Sequence, residues 1–184
     1  MKSVRMMLAV VLVSLATVAV AQSDAPPSDA EKSFDKMKTL AGTWEGKVTV
    51  DPPMKDMAGN PLMRITLRET SRGNALVHEM KGAGDPDDPK RFDHPVTMVY
   101  VDGDKLTLTH YCDAGNRPRM VAKPSSEAKA VEFGLVDVSG STARGHMDHA
   151  VFTVVDPDHH IEDWTYMMPG DKPIHAHMDL QRVK

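Results

Sequence analysis

The sequence predicts a mainly β fold, an antiparallel β-barrel of about eight to ten strands with a short helix before the first strand. Three observations carry this prediction. Nine short β-rich runs follow Gly42, turn signals such as Asp-Gly and Pro-Gly separate them, and one amphipathic pattern precedes them. Many short strands at regular spacing indicate an antiparallel sandwich or a closed barrel, and closure also removes exposed sheet edges.

The first residues have the pattern of a secretory signal peptide. Lys2 and Arg5 precede an uncharged, mostly apolar run of 16 residues, which ends in small residues suited to cleavage before Gln22. The run is shorter than the roughly 20 residues that a membrane-spanning helix needs. We therefore expect residues 1–21 to be removed and the protein to be exported, to the periplasm or the medium, without a stable membrane anchor.

The length and charge of the mature chain limit the possible partners. Without the signal peptide 163 residues remain, which suits one domain with one core. Residues 22–28 are polar and Pro-rich and are predicted to form a flexible linker, so residues 29–184 make up the single barrel domain. The mature chain carries 20 basic and 26 acidic residues, a net charge of −6 with His neutral. This charge disfavours nucleic acid and anionic membranes as partners.

The elements can be assigned in order along the chain. Ser28 or Asp29 is a candidate helix cap, and Gly42 is a candidate end. Between them apolar side chains recur at helical spacing, at Phe34, Met37 and Leu40. These signals predict a helix over about residues 29–40.

The predicted strands are runs in which β-branched and apolar residues alternate with polar ones. The runs are WEGKVTV, MRITLRET, NALVHEMK, PVTMVYV, KLTLTHYC, KAVEFGLV, HAVFTVV, HIEDWTYM and IHAHMDLQRV. Asp102-Gly103-Asp104 joins the fourth run to the fifth and predicts a tight hairpin.

The stretch from Leu40 to Gly46, LAGTWEG, places Gly-x-Trp at the start of the first strand. This arrangement resembles the calycin group of lipocalin-like β-barrels, in which the Trp plugs one end of the barrel. Gly-Thr-Trp-Glu-Gly is also similar to the opening of the nitrobindin-like haem barrels. LTHYCDAGNRPRM and VDPDHHIEDWTYM resemble a group of uncharacterised exported bacterial proteins with a domain labelled DUF1579. The resemblance implies a cup-shaped, lipocalin-like barrel, and it implies no particular ligand.

The closing run, IHAHMDLQR, raises the question of a metal site because it contains His-x-His. On a strand His175 and His177 lie on one face, and the other face carries Ile174, Ala176, Met178 and Leu180. The pleat favours the apolar set inward and both imidazoles in water. A partly polar barrel interior would reverse this, so the metal site stays the alternative.

A second candidate site lies on the fifth run, where His110 and Cys112 extend an inward apolar row. His and thiolate together suit zinc, copper or haem iron, with His146, His149 or His160 as further ligands. Two groups are too few for a metal site, so the alternative is a buried His beside an inert thiol. The alternation does not decide whether His146 or His149 faces inward.

Other side chains are candidates for binding a small molecule. A guanidinium such as that of Arg119 could hold an acidic head group, and His160, Glu162, Trp164 and Tyr166 share one face of a strand, either a pocket wall or an outer surface. The candidate ligand-binding residues are therefore His110, Cys112, Arg119, Met120, His149, Trp164 and Tyr166.

Three functions remain from the sequence. The preferred one is an exported barrel that binds a small, largely apolar molecule, without catalysis and without a cofactor. The second is a haem or transition-metal barrel that uses His110 and Cys112. The third is an enzyme with His110 as base and Tyr111 or Arg119 as its partner. The sequence has no hydrolase elbow, phosphate loop or zinc-protease motif, which removes positive evidence for those activities.

Overall fold

The computed structural model describes residues 26–123 and 129–184. The predicted signal peptide, residues 1–21, lies outside the described residues, as does most of the predicted linker. The described chain folds into a closed antiparallel β-barrel of ten strands with one short helix near its start. The predicted fold class is confirmed, with a strand number at the upper end of the predicted range.

The strands follow one another around the barrel. They are β1 (Gly42–Asp51), β2 (Leu62–Thr70), β3 (Ala75–Gly82), β4 (Val96–Asp102), β5 (Lys105–Tyr111), β6 (Arg117–Lys123), β7 (Ala130–Ser139), β8 (His146–Asp156), β9 (His159–Met168) and β10 (Lys172–Arg182). Each strand pairs with the next, and β10 closes the barrel by pairing with β1. Closure pairs both edges of the sheet that the described strands form.

The helix α1 (Asp29–Lys38) begins where the sequence predicts. The backbone N–H of Glu31 donates to Ser28 Oγ at 3.2 Å, and the Glu31 carboxylate accepts from the Ser28 backbone N–H at 2.6 Å. This reciprocal capping box satisfies two N–H groups that the helix itself leaves unpaired. The buried face of α1, with Phe34 and Met37, packs on β4 and β5 at one end of the barrel.

Trp44 fills the barrel end beneath α1, which we call the closed end. Its side chain is fully buried, and its Nε1 donates to the carbonyl oxygen of Leu40 at 2.8 Å. The guanidinium of Arg182 lies 4.0 Å from the Trp44 ring, and its Nη1 donates to the carbonyl oxygen of Ala41 at 2.7 Å. The Gly-x-Trp stretch therefore builds the closed end, where the resemblance places its Trp.

Gly46 lets the first and last strands approach each other at the seam of the barrel. A Cβ at this position would overlap the carbonyl oxygen of Asp179 in β10. Only glycine fits such a close backbone approach without displacing a strand. This contact accounts for the second glycine of LAGTWEG.

The closing strand β10 alternates as predicted. Met178 and Leu180 are buried, whereas His175 and His177 are exposed. On the outer face His177 Nδ1 lies 2.6 Å from Asp163 Oδ1, a contact between β10 and β9. The expected solvent face of His-x-His is confirmed.

The core fills the half of the barrel next to the closed end. Its largest fully buried side chains include Trp44, Trp164, Phe133 and Phe152, and Phe152 meets both Phe133 and Trp164 edge to face. Towards the opposite end the inward side chains leave a cavity.

In the part of the chain that the structure describes, no helix has the length and apolar character to cross a membrane.

Candidate functional site

The cavity is a cup of about 290 Å³ at the barrel end opposite α1. Ligand pockets of drug size measure roughly 300–1,000 Å³, so this cup suits a small ligand. Its apolar wall is made mainly of methionines, with Trp164 among its aromatic members. Its polar and charged members are Asp93, His110, Cys112, Asp113, Arg144 and Tyr166.

His110 reaches the cup from β5, because alternation continues the buried row of Leu106 and Leu108. Only 2% of His110 is exposed, and its Nδ1 lies 2.8 Å from Thr97 Oγ1 on β4. Burial lowers the pKa of His110 to about 3, with a smaller contribution from the nearby His78. The imidazole is therefore neutral at physiological pH and is a poor general base.

Cys112 lines the cup two residues beyond His110 and is partly buried. Burial raises the pKa of its thiol, and the carboxylates of Asp93 and Asp113 raise it further. The backbone N–H of Ala114 donates to Cys112 Sγ at 3.4 Å and opposes this shift only in part. The thiol is therefore protonated at neutral pH and contributes a small, weakly polar surface.

Beneath the cup lies a buried network centred on Glu162, which is 0% exposed. Its carboxylate accepts from His78 Nε2 at 3.0 Å, from His160 Nε2 at 3.0 Å and from Trp164 Nε1 at 2.9 Å. Burial alone would raise the pKa of Glu162, but the charge of His78 and the bonds from both histidines outweigh it. The carboxylate is therefore ionised, and Trp164 separates this floor network from the cup.

The rim of the cup carries more negative than positive charge. Arg144 Nη2 lies 3.4 Å from Asp113 Oδ2, so this guanidinium already has a carboxylate partner. Asp93 is a second rim carboxylate, and its pKa is raised by burial and by the nearby Asp113. Tyr166 donates its hydroxyl to the carbonyl oxygen of Arg144 at 2.8 Å, which ties the rim loop to β9.

The structure brings four of the predicted ligand-binding residues together and places the other three elsewhere. His110, Cys112, Trp164 and Tyr166 line the cup. Arg119 points outward and pairs with Asp137 on the neighbouring strand. His149 is also on the outer surface, where its Nε2 lies 3.0 Å from Glu132 Oε1. Met120 is fully buried in the core and does not line the cup.

The predicted metal ligands do not converge. Among residues 26–123 and 129–184, no three His, Cys, Asp or Glu side chains are grouped as a metal site requires. His160 belongs to the floor network, and His146 lies 3.9 Å from Asp148 on its own strand.

Sequence reasoning missed the five methionines that line the cup. They are Met57, Met63, Met80, Met147 and Met178. Period-two alternation identifies three of them, because Met63, Met80 and Met178 continue buried rows on β2, β3 and β10. Met57 lies in a short 3-10 turn between strands, and Met147 precedes a β-bulge that reverses the alternation of β8.

The low pKa of His110 predicts that the stability of the protein depends on pH. Its pKa is about 3 in the folded chain against an ordinary 6.5, so the unfolded chain takes up the proton first as pH falls. The stability that neutral His110 contributes is complete above pH 6.5 and is lost progressively towards pH 3. Between pH 7 and 5 wild type should lose about 2 kcal/mol more than His110→Phe in urea unfolding. His175→Phe, which changes an exposed histidine, should behave as wild type; equal losses in wild type and His110→Phe would refute this assignment.

Haem is the cofactor that the nitrobindin-like resemblance implies, and the cup does not suit it. Its volume is about 290 Å³, at the lower limit for drug-sized ligands, whereas a haem with two propionates is a large ligand. Propionates need cations, but Arg144 is paired with Asp113, and Asp93 adds another carboxylate at the rim. The cup therefore matches haem neither in its volume nor in the charge of its rim.

The fold and the cup define a class, a closed ten-stranded antiparallel barrel with one filled half and one open half. No family model matches the sequence, and no curated protein does so either. Among solved structures the chain is similar to Rv2717c from M. tuberculosis, with a TM-score of 0.56 and 13% identity, covering 85% of this chain and 99% of that one. It is also similar to a DUF3598-family protein of unknown function from Nostoc punctiforme, with a TM-score of 0.53 and 10% identity. That match covers 80% of this chain and 48% of the Nostoc protein. These likenesses support the fold alone.

Proposed function

We propose that this protein is an exported, lipocalin-like carrier that holds a small, largely apolar molecule in its cup and performs no catalysis. The observation that carries the proposal is the cup itself, a cavity of about 290 Å³ with a methionine-rich wall at the open end of the barrel. Mouths of β-barrels are common sites for small ligands, and apolar walls with a few polar groups are typical of them.

The chemistry of the polar groups favours binding over catalysis. His110 is held neutral by burial, and its one hydrogen-bond partner within the described residues is Thr97. The partners predicted from the sequence for His110 as a base, Tyr111 and Arg119, are directed away from the cup: Tyr111 is 50% exposed, and Arg119 pairs with Asp137. Each of these features fits a wall that recognises a ligand without reacting with it.

Export is part of the proposal and rests on the N-terminal pattern of the sequence. The resemblance of LTHYCDAGNRPRM and VDPDHHIEDWTYM to the DUF1579-like group of exported bacterial proteins supports it. We expect the protein isolated from its own host to begin at Gln22, which an intact-mass measurement checks. A protein that keeps residues 1–21 in the cytoplasm would refute this part of the proposal.

Filling the cup should abolish binding. Ala176 lines the cup from β10, between Val50 and Trp164 on the neighbouring strands. A phenyl ring in Ala176→Phe projects into the cavity, so we expect the affinity for the apolar fluorescent probe N-phenyl-1-naphthylamine to fall at least tenfold. Fluorescence titration measures this directly.

The matched control for this experiment is His175→Phe, which introduces the same phenyl ring one residue away, in place of an imidazole on the exposed face. We expect it to bind the probe as wild type does. Equal affinities for wild type and Ala176→Phe, or no saturable binding by wild type, would contradict the proposal.

A further inference from the structure

Methionine thioethers line the cup on several sides. The five cup methionines belong to five different elements, the 3-10 turn Lys55–Met57 and the strands β2, β3, β8 and β10. Thioether sulfur is polarizable and makes favourable contacts with aromatic rings. The unbranched methionine side chain also adapts to the outline of a ligand. Such a wall favours a flat aromatic molecule over a saturated one.

Trp164 adds an aromatic surface to the bottom of the cup. It is 2% exposed, and its Nε1 already donates to Glu162 Oε2 at 2.9 Å. The hydrogen-bonding capacity of the indole is therefore used within the floor network. The surface that Trp164 presents to the cup consists of ring carbon, which packs against aromatic ligands edge to face or offset.

His110 supplies one polar contact at this depth. Its Nδ1 is engaged by Thr97 Oγ1, and its Nε2 has no hydrogen-bond partner among the described residues. A polar nitrogen at the wall of an apolar cup gains from a partner, so a ligand hydroxyl or similar group is favoured beside it. The low pKa of His110 keeps the imidazole neutral, and a neutral ring does not compensate the charge of an anion.

The charges around the cup also oppose an anionic ligand. Asp93 and Asp113 lie at the rim, and the single positive partner among the described lining residues, Arg144, is paired with Asp113. A carboxylate loses its hydration on entering an apolar cavity, and the two rim carboxylates, Asp93 and Asp113, add repulsion to that cost. Arg119, the residue with the right chemistry for an acidic head group, faces outward.

We propose that the ligand of the cup is an uncharged aromatic molecule with one hydrogen-bonding group placed against His110, and that fatty acids and aromatic anions are rejected. This inference rests on the proposed binding function and specifies the class of its ligand. It follows from three independent features: the thioether wall, the single unpartnered nitrogen of His110 and the negative rim.

The test compares three probes that share one two-ring carbon skeleton. They are 2-naphthol, which is neutral and aromatic, 2-naphthoate, which is an anion at pH 7, and 2-decalol, which keeps the hydroxyl but is saturated. Titration calorimetry of the mature protein at pH 7 should give 2-naphthol at least tenfold tighter binding than either of the others. His110→Phe should weaken 2-naphthol about fivefold or more, and should weaken it more than naphthalene, which has no hydroxyl group. His149→Phe, on the outer surface, should leave both affinities unchanged.

The outcomes separate this inference from the proposed function. Equal or tighter binding of 2-naphthoate, or of dodecanoate, overturns the neutral-ligand inference, while the cup remains a binding site. Equal binding of 2-decalol overturns the aromatic preference. If none of these probes nor N-phenyl-1-naphthylamine binds, the proposed function itself fails. The three-probe comparison uses the wild-type protein, so it stands even if His110→Phe does not fold.

Discussion

Replacing Glu162 with Gln is expected to lower the free energy of unfolding by about 3–5 kcal/mol, the typical cost of removing one partner from a buried ion pair. The carboxylate accepts from His78, His160 and Trp164 and is itself 0% exposed. An amide offers a single acceptor oxygen and turns an NH₂ group towards at least one of these donors. Urea unfolding at pH 7 measures the loss, and a variant that is already unfolded meets the prediction at its upper limit.

Glu132→Gln is the matched control for this prediction. Glu132 also lies 3.0 Å from a histidine, His149, but the pair is on the surface, with 37% and 30% of the two side chains exposed. Exposed ion pairs contribute up to about 1 kcal/mol, so the control should lose no more than that. Similar losses in the two variants would show that the floor network gains nothing from burial.

Trp44→Ala is expected to cost about 3–5 kcal/mol, as is usual when a buried aromatic side chain is removed from a core. The indole packs at 4.2 Å, edge to face, on the ring of His160 and carries the hydrogen bond to Leu40. Its loss leaves a cavity at the closed end and removes the ring beneath the guanidinium of Arg182. Thermal and urea unfolding measure the effect.

Tyr111→Ala provides the comparison for Trp44→Ala, because Tyr111 is an aromatic residue of the same barrel that is 50% exposed. A surface substitution of this kind changes stability by about 0.5 kcal/mol or less. If both variants lost the same stability, Trp44 would not be the residue that holds the closed end together.

Most of the fold follows from local patterns in the sequence. Ser28 and Glu31 form a capping box that any sequence reading can recognise, and Asp102-Gly103-Asp104 makes the predicted hairpin between β4 and β5. These features were predictable because they depend on residues a few positions apart. Strand β6 was not predicted, because a proline within the run RPRMVAK, Pro118, argues against a strand at that position. The β5–β6 pairing ends at Arg119, one residue before Pro118 is reached, and Pro118 itself is paired with Val138 of β7.

The site was less predictable because it depends on contacts across the barrel. His78 and Glu162 are 84 residues apart, and nothing in NALVHEMK indicates that its histidine meets a glutamate on β9. The bulge in β8 turns Met147 towards the cup against the simple alternation. By contrast, His110 and Cys112 were placed on the inward face correctly, because they continue a regular row.

The outward positions of Arg119 and His149 were also unpredictable from local sequence, because they depend on partners on neighbouring strands. Each has the right chemistry for a ligand, but each finds an acidic partner on the adjacent strand, Asp137 and Glu132. In a chain with 26 acidic residues such surface pairs are the ordinary outcome. The cup is lined largely by thioethers, with one indole, one neutral imidazole and one thiol, while Asp93, Asp113 and Arg144 lie at its rim.

The measurement that tests the central claim most directly is native mass spectrometry of the mature protein purified from its own host, with an absorbance scan of the same sample. The account predicts a small organic molecule bound one to one, no Soret band, and no retained molecule in Ala176→Phe. A Soret band or a bound metal ion would contradict it. So would an empty wild-type protein that also fails to bind N-phenyl-1-naphthylamine.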